Sequence, residues 1–203
     1  MVLISLALLG SAAVILITLV IRLEAFKRVD TRLLDWIQSV LPESTGKARK
    51  KSDTMMRDVT ALGGDTATVI VALSGSATLL SHGNSLLLPP FLLTLATGRV
   101  VGLLLKKWIQ RPRPKQAGHA LDIFTSSFPS VHTAMGFVSS FAIVFFLLSA
   151  ASAPWIALSI ASIVSALIGT TRLYFAIHWP LDVLAGWFAG LTIAATSAFL
   201  LTG

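Results

Sequence analysis

Cysteine is absent from the 203 residues, which excludes a disulfide framework, a thiolate nucleophile and a Cys-ligated metal. Charge is scarce. Asp, Glu, Lys and Arg make up 12% of the chain, about half the roughly 25% of soluble domains. Acidic residues are scarcer still, 9 against 16 Lys and Arg. Outside residues 22–58 the only acids are Asp65, Asp122 and Asp182, too few for a two-metal carboxylate centre of the usual kind. What fills the chain instead is apolar: 55% of the residues are hydrophobic. Disorder, which needs low hydrophobicity and high charge, is thereby excluded, and so is an ordinary soluble domain.

The apolar residues fall into runs of the length that crosses a bilayer, about 20 residues. Residues 2–21 carry no charge, residues 61–80 carry only Asp65, and residues 85–105 carry only Arg99. Residues 133–151, 154–171 and 183–202 carry none. The first run lacks the basic residues that precede a signal-peptide core and is longer than such a core, so it reads as a retained span. The expected fold is therefore all-α: an integral membrane bundle of six transmembrane helices. Its parts are a first span (1–21), an interfacial segment (22–58) and a five-span core (59–203).

Six spans bring the segments after spans one, three and five to one side. Residues 22–58 hold nine Lys/Arg; Arg99, Lys106, Lys107, Arg111, Arg113 and Lys115 belong to the end of span three, and Arg172 to span five. All 16 basic residues thus lie toward one face. Leu23, Phe26, Val29, Leu33, Ile37 and Val40 recur every three or four residues, the pattern of an amphipathic helix lying in the membrane interface. Pro42 and Gly46 are expected to end it, with a basic patch at residues 47–51. The net charge of +7 is explained by this single face and gives no sign of a nucleic-acid partner. The implied partners are the bilayer and a lipid. Nothing in the sequence sets an oligomeric state.

Three polar clusters sit at span ends on the basic side. The first, Lys106 to Pro114, packs four basic residues, with Lys115 a fifth just after, and two helix-stopping prolines; alone it is also what a membrane flank looks like. The second is Ser126-Ser127-Phe128-Pro129-Ser130-Val131-His132. There Ser130 can cap the next helix and leave N–H groups free at its positive end, a cradle for oxyanions. The third runs from Thr171 to Asp182. His178 and Asp182 stand four apart, and a carboxylate on one imidazole nitrogen raises the basicity of the other; an interfacial ion pair would look the same. Together, three cations, helix-end amides and two histidines suit a metal-free phosphoryl transfer. Cations and amides hold the equatorial oxygens, one histidine attacks and the other protonates the leaving oxygen.

These clusters resemble the three motifs of the type 2 phosphatidic acid phosphatase family, in particular its six-helix membrane branch of phosphatidylglycerophosphatase B-like lipid phosphatases. The motif Lys-x6-Arg-Pro corresponds to Lys106 with Arg113-Pro114. Pro-Ser-Gly-His corresponds to Pro129-Ser130-Val131-His132, and Ser-Arg-x5-His-x3-Asp to Thr171-Arg172 with His178 and Asp182. The resemblance implies that His178 is a nucleophile forming a phosphohistidine, oriented by Asp182. It implies that His132 is the general acid for the departing alcohol and then assists water. Lys106, Arg113, Arg172, Ser130 and the backbone at Val131 would hold the phosphate, with no cofactor and no metal. The implied substrates are lipid phosphates: phosphatidate, phosphatidylglycerophosphate, undecaprenyl pyrophosphate or lipid A phosphate. A lipid-to-lipid phosphotransferase would use the same site. A non-catalytic protein that binds an anionic headgroup is the alternative of another class, and the His178–Asp182 pair speaks against it.

Two positions depart from the motifs. Val131 stands for glycine; where that glycine only donates its N–H, valine serves as long as φ stays negative, the alternative being a side chain that crowds the phosphate or narrows substrate choice. Thr171 stands for serine and keeps the hydroxyl. Neither removes a chemical group, so an active enzyme is expected. Arg99 lies two helical turns before Lys106 on nearly the same face, and Asp65 lies one turn inside span two. Intramembrane charges pair, so Asp65 and Arg99 are expected to meet beneath the site, or Arg99 to support the phosphate ligands, the bland alternative being an Arg99 that snorkels outward; Thr171 is a further candidate for support around the site. Trp108, His119 and Asp122 are expected on a loop over the pocket. Orientation meets a conflict. The positive-inside rule puts the basic face in the cytoplasm, whereas the resemblance implies a site on the periplasmic or extracytoplasmic face of the inner membrane. Six acids interleave with the basic residues of 22–58 and weaken the rule, so the extracytoplasmic face is expected.

Overall fold

The computed structural model describes residues 1–41, 46–114, 125–148 and 152–202, with side chains from residue 49 onward in the second segment. His119 and Asp122 lie outside the described residues, as does Pro42. Among the described residues the fold is entirely helical: α1 (Val2–Val20), α2 (Glu24–Val40), α3 (Gly46–Ala61), α4 (Asp65–Ser81), α5 (Leu88–Ile109), α6 (Val131–Ala142), α7 (Pro154–Tyr174) and α8 (Pro180–Thr202). A 3-10 turn, Ser85–Leu87, leads into α5, and a π turn, Ile143–Leu147, extends α6.

The apolar runs became helices with boundaries set by local chemistry. Pro at the first turn opens α5 and α7, where the missing N–H costs nothing. α5 stops at Ile109 because Gln110 turns left-handed (φ 46°) ahead of Pro112. Among the described residues, four helices are long and apolar enough to cross a bilayer by themselves: Val2–Val20, Ser85–Ile109 with its leading turn, Pro154–Tyr174 and Pro180–Thr202. A fifth candidate joins the end of α3 to α4 across a bend of 47°. The sixth expected run gives a shorter apolar helix, Val131–Leu147. The protein is a multi-pass membrane protein, and its exposed side chains agree: Leu8, Leu9, Ile15, Val69, Leu73, Ile163 and Leu167 all face outward.

α6 is the centre of the bundle, with ten of its twelve residues buried. It packs against α5, α7 and α8, while α1 lies along α8. Water-driven burial counts for little between helices in lipid, so close approach at small residues holds such bundles together. Gly186 of α8 shows this: a Cβ there would stand 2.4 Å from the Ser130 carbonyl oxygen. Ser165 of α7 donates to the Thr133 carbonyl at 2.8 Å, and Thr94 of α5 to Ser197 of α8 at 3.0 Å.

The segment expected as one amphipathic helix with a basic tail is two helices. α2 keeps the expected stripe, and Leu23, Phe26, Val29, Leu33 and Val40 are exposed on it, unpacked by protein. At the edge of that stripe, close to the line of Leu23 and Ile37, Asp30 and Leu34 are fully buried against the bundle. The basic patch is the start of α3, which continues toward the bundle and docks on α7. Tyr174 donates to Asp53 at 2.7 Å, and Arg57 stands 5.9 Å from the Phe175 ring.

Candidate active site

The helix order brings the end of α5, the start of α6, the end of α7 and the start of α8 together. Backbone bonds tie these ends to one another. Ser127 N–H donates to the Arg111 carbonyl at 2.8 Å, and Ser130 N–H to the Asp182 carbonyl at 2.9 Å. The chain between α7 and α8 turns sharply at Ala176, whose φ is 49°. Ile177 N–H then donates back to the Arg172 carbonyl at 3.2 Å. This turn aims His178 into the bundle end, where its side chain is 2% exposed.

His178 is not on a helical turn with Asp182; it precedes α8, and Asp182 sits in that helix's first turn. Its Nδ1 lies 3.7 Å from Asp182 Oδ2 and has no hydrogen-bond partner. That distance is beyond a hydrogen bond but within strong electrostatic reach. On the other side, Arg113 Nη1 stands 3.3 Å from Nε2. A guanidinium only donates, so Nε2 carries the lone pair and the proton belongs on Nδ1, toward Asp182. Burial pushes the His178 pKa down to about 4; the Asp182 carboxylate opposes the shift, and Arg172 and Arg113 add to it. The ring is therefore neutral at pH 7, with a nucleophilic nitrogen facing the cations.

Those cations converge. Arg113 also donates to the Ile177 carbonyl at 2.6 Å and to the Thr125 carbonyl at 3.0 Å. Burial lowers the pKa of its guanidinium, which stays protonated. Lys106 donates to the Ser126 carbonyl. Arg172 is 5% exposed; it bonds Thr60 of α3 through Nη1 at 2.9 Å, while its Nε is buried without a partner. A cavity of about 560 Å3 opens between Lys106, Lys107, Arg111, Arg113, Thr125 and Ser126. His132, in the first turn of α6, is within electrostatic reach of Arg172, His178 and Lys106. Its ring faces the α3–α4 junction, where a Cβ on Gly64 would lie 3.8 Å from Nε2.

Four positions are placed in more detail than the sequence allowed, and two of them, Ser130 and Trp108, differ from expectation. Ser130 occupies the N-cap position of α6 without capping it; its hydroxyl accepts from Thr133 at 2.8 Å. The side chain of Val131 does not crowd the cluster. It is buried against α5, where a Cβ on Gly102 would meet Val131 Cγ2 at 3.0 Å, and the backbone N–H stays in the first turn of α6. The Thr171 hydroxyl is spent on the Ile168 carbonyl at 2.6 Å. Trp108 belongs to α5 rather than to a loop, and it is 74% exposed. Arg99 and Asp65 do meet, at 2.6 Å, with the Asp65 side chain 67% exposed.

Sequence reasoning missed Arg111 and Asp30. Arg111, 9% exposed, holds Asp182 Oδ1 through Nη1 and Asp30 Oδ2 through Nη2, both at 2.7 Å. The only hint in the sequence was an acid set among the apolar positions of α2, four residues after Phe26 and three before Leu33.

Fold and site define a class: helical proteins that cross the membrane several times and gather cations around a neutral, buried histidine at one end of the bundle. The family model of the PAP2 superfamily matches residues 87–201, more than half of the chain, and the protein belongs to that superfamily. Among solved structures, the chain is similar to the transmembrane PAP2-type phosphatidylglycerolphosphate phosphatase from Bacillus subtilis. The identity is 22% and the TM-score 0.75, over 98% of this chain and 93% of that one. It is also similar to Aquifex aeolicus LpxE, with 21% identity and a TM-score of 0.61 over 82% of this chain and 93% of that one. No curated protein sequence matches it.

Proposed function

We propose that the protein is a membrane lipid phosphatase that works through a phosphohistidine at His178. The observation that carries this reading is the His178 ring: neutral, buried, with Nε2 3.3 Å from Arg113 and Nδ1 turned to Asp182. Nε2 attacks phosphorus while Lys106, Arg113, Arg172 and the N–H groups at Val131 and His132 hold the equatorial oxygens. The P–O bond to the lipid breaks, and His132 supplies the proton that the departing oxygen takes. Water then loses a proton to His132 and attacks the phosphohistidine. The P–N bond breaks, and His178 returns neutral with inorganic phosphate released. No metal enters these steps. The carboxylates at the site, Asp182 and Asp30, are engaged by Arg111 and by backbone N–H groups of Trp179 and Leu181.

The substrate class follows from placement. The cation cluster ends a membrane bundle, so a phosphomonoester or pyrophosphate whose tail stays in the bilayer reaches it without leaving the lipid. The PAP2 motifs and the two similar folds, one from a phosphatidylglycerolphosphate phosphatase, support that class. In this reading α4 and Val131–Leu147 complete six spans, 59–203 is the catalytic core, α2 lies in the interface on its exposed apolar face, and the site faces away from the cytoplasm. The test is phosphate release by the purified protein from phosphatidate, phosphatidylglycerophosphate and undecaprenyl pyrophosphate, each alone, with and without chelator. Release unaffected by chelator and abolished in His178→Ala is expected. Turnover in His178→Ala would overturn the phosphohistidine, and loss to chelator would overturn the metal-free route. Phosphate that is released only when a second lipid is supplied would mark a phosphotransferase.

A further inference from the structure

α2 carries none of the motifs, yet it reaches the nucleophile. Asp30 is fully buried, and a carboxylate survives full burial only when its oxygens are satisfied. Both are: Oδ1 accepts Leu181 N–H at 3.0 Å and Oδ2 accepts Arg111 Nη2 at 2.7 Å. Arg111 is a planar fork with its second arm on Asp182 Oδ1, and its guanidinium lies 5.4 Å from the Trp179 ring. Asp182 places its remaining oxygen, Oδ2, 3.0 Å from Trp179 N and 3.7 Å from His178 Nδ1. At the far end of α2, Gln38 donates to the Leu173 carbonyl at 2.6 Å and to the Tyr174 carbonyl at 3.3 Å. The helix thus grips both ends of the connection that bears His178.

We propose that Asp30 is a positioning residue for phosphoryl transfer: by fixing one arm of Arg111 it sets the Asp182 carboxylate against His178, and it makes α2 part of the catalytic apparatus. The inference rests on the phosphohistidine reading. With Asp30 neutral, the Arg111 fork is anchored on one side only and swings with Asp182. The headgroup cations Lys106, Arg113 and Arg172 are untouched, so binding is spared and the chemical step is not.

The experiment uses the full chain in lipid–detergent micelles, with the lipid phosphate that gives the highest release, and compares wild type, His178→Ala, Asp30→Asn, Asp30→Glu, Arg111→Lys and the Asp30→Asn/Arg111→Lys double variant. Asp30→Asn is expected to lower kcat roughly ten- to a hundredfold, the scale of a misplaced catalytic group, with KM changed less than twofold. Asp30→Glu keeps the charge and recovers part of kcat; should Asp30→Asn not purify as a folded protein, it carries the same kcat-against-KM comparison. Arg111→Lys cannot bridge two carboxylates, so adding Asp30→Asn to it costs little more. Wild-type kcat, a loss confined to KM, or an equal loss in both Arg111 backgrounds would overturn the proposal. Turnover in His178→Ala would instead overturn the reading beneath it, whatever Asp30 does.

Discussion

At the residue scale, the proposed chemistry turns on keeping one imidazole neutral inside a cluster of cations. Burial does most of this, holding the His178 pKa near 4, against about 6.5 for an unfolded histidine. The sign of the linked stability follows. Between pH 6.5 and about 4 the unfolded chain takes up a proton that folded His178 refuses, so this residue's contribution to stability is present above that window and is lost as pH falls through it. Thermal unfolding of wild type and His178→Asn between pH 7 and pH 4.5 checks it, and a shallower pH dependence in the variant is expected. Identical slopes would show that the ring is not held neutral by the fold. The motif spacings singled out this residue, His132, Asp182, Lys106, Arg113 and Arg172 in the sequence, and all six lie at the helix ends that meet around His178. The spacings did not make Asp30 or Arg111 legible, because a salt bridge across 81 positions of chain leaves no local pattern.

At the scale of elements, the apolar runs foretold helices and their ends, since length, proline and charge act locally. They did not foretell which helices lie at the centre. α6 and α7 are similarly apolar by sequence, yet α6 is buried almost all round and α7 keeps Ile156, Ile163 and Leu167 exposed. Nor did they foretell how Val131 is accommodated. The motif glycine is replaced, and Gly102 on the neighbouring helix provides the space. α6 and α8 meet through backbone, where no side chain can yield. Gly186→Ala would put a methyl 2.4 Å from the Ser130 carbonyl and force the helices apart. A loss of about 1–3 kcal/mol is expected in detergent unfolding, together with reduced turnover, because Ser130 begins the helix that carries His132. Unchanged stability would mean that the two helices slide freely.

At the scale of the whole molecule, the six-span reading puts the basic residues on one face together with the proposed site. Two rules disagree on where it points. The chain has no cysteine, so single cysteines report cleanly. Placed at Ser39, exposed on α2, a cysteine is expected to react with an impermeant maleimide in intact cells; at Ser85, exposed at the opposite end of the bundle, it is expected to be protected. The reverse pattern would put the site in the cytoplasm and the positive-inside rule would hold.

The bond between Asp30 and Leu181 spans 151 residues, which gives the molecule a chronology. As the chain is synthesised, Asp30 is made early, and Arg111 follows long before α8 exists. Asp182, the other carboxylate on Arg111, and the Leu181 N–H that completes Asp30 arrive only with the last helix. On the proposed mechanism, a chain that lacks α8 holds Lys106, Arg113 and Arg172 with no carboxylate beside His178, and it is expected to be inactive until the final span is in place.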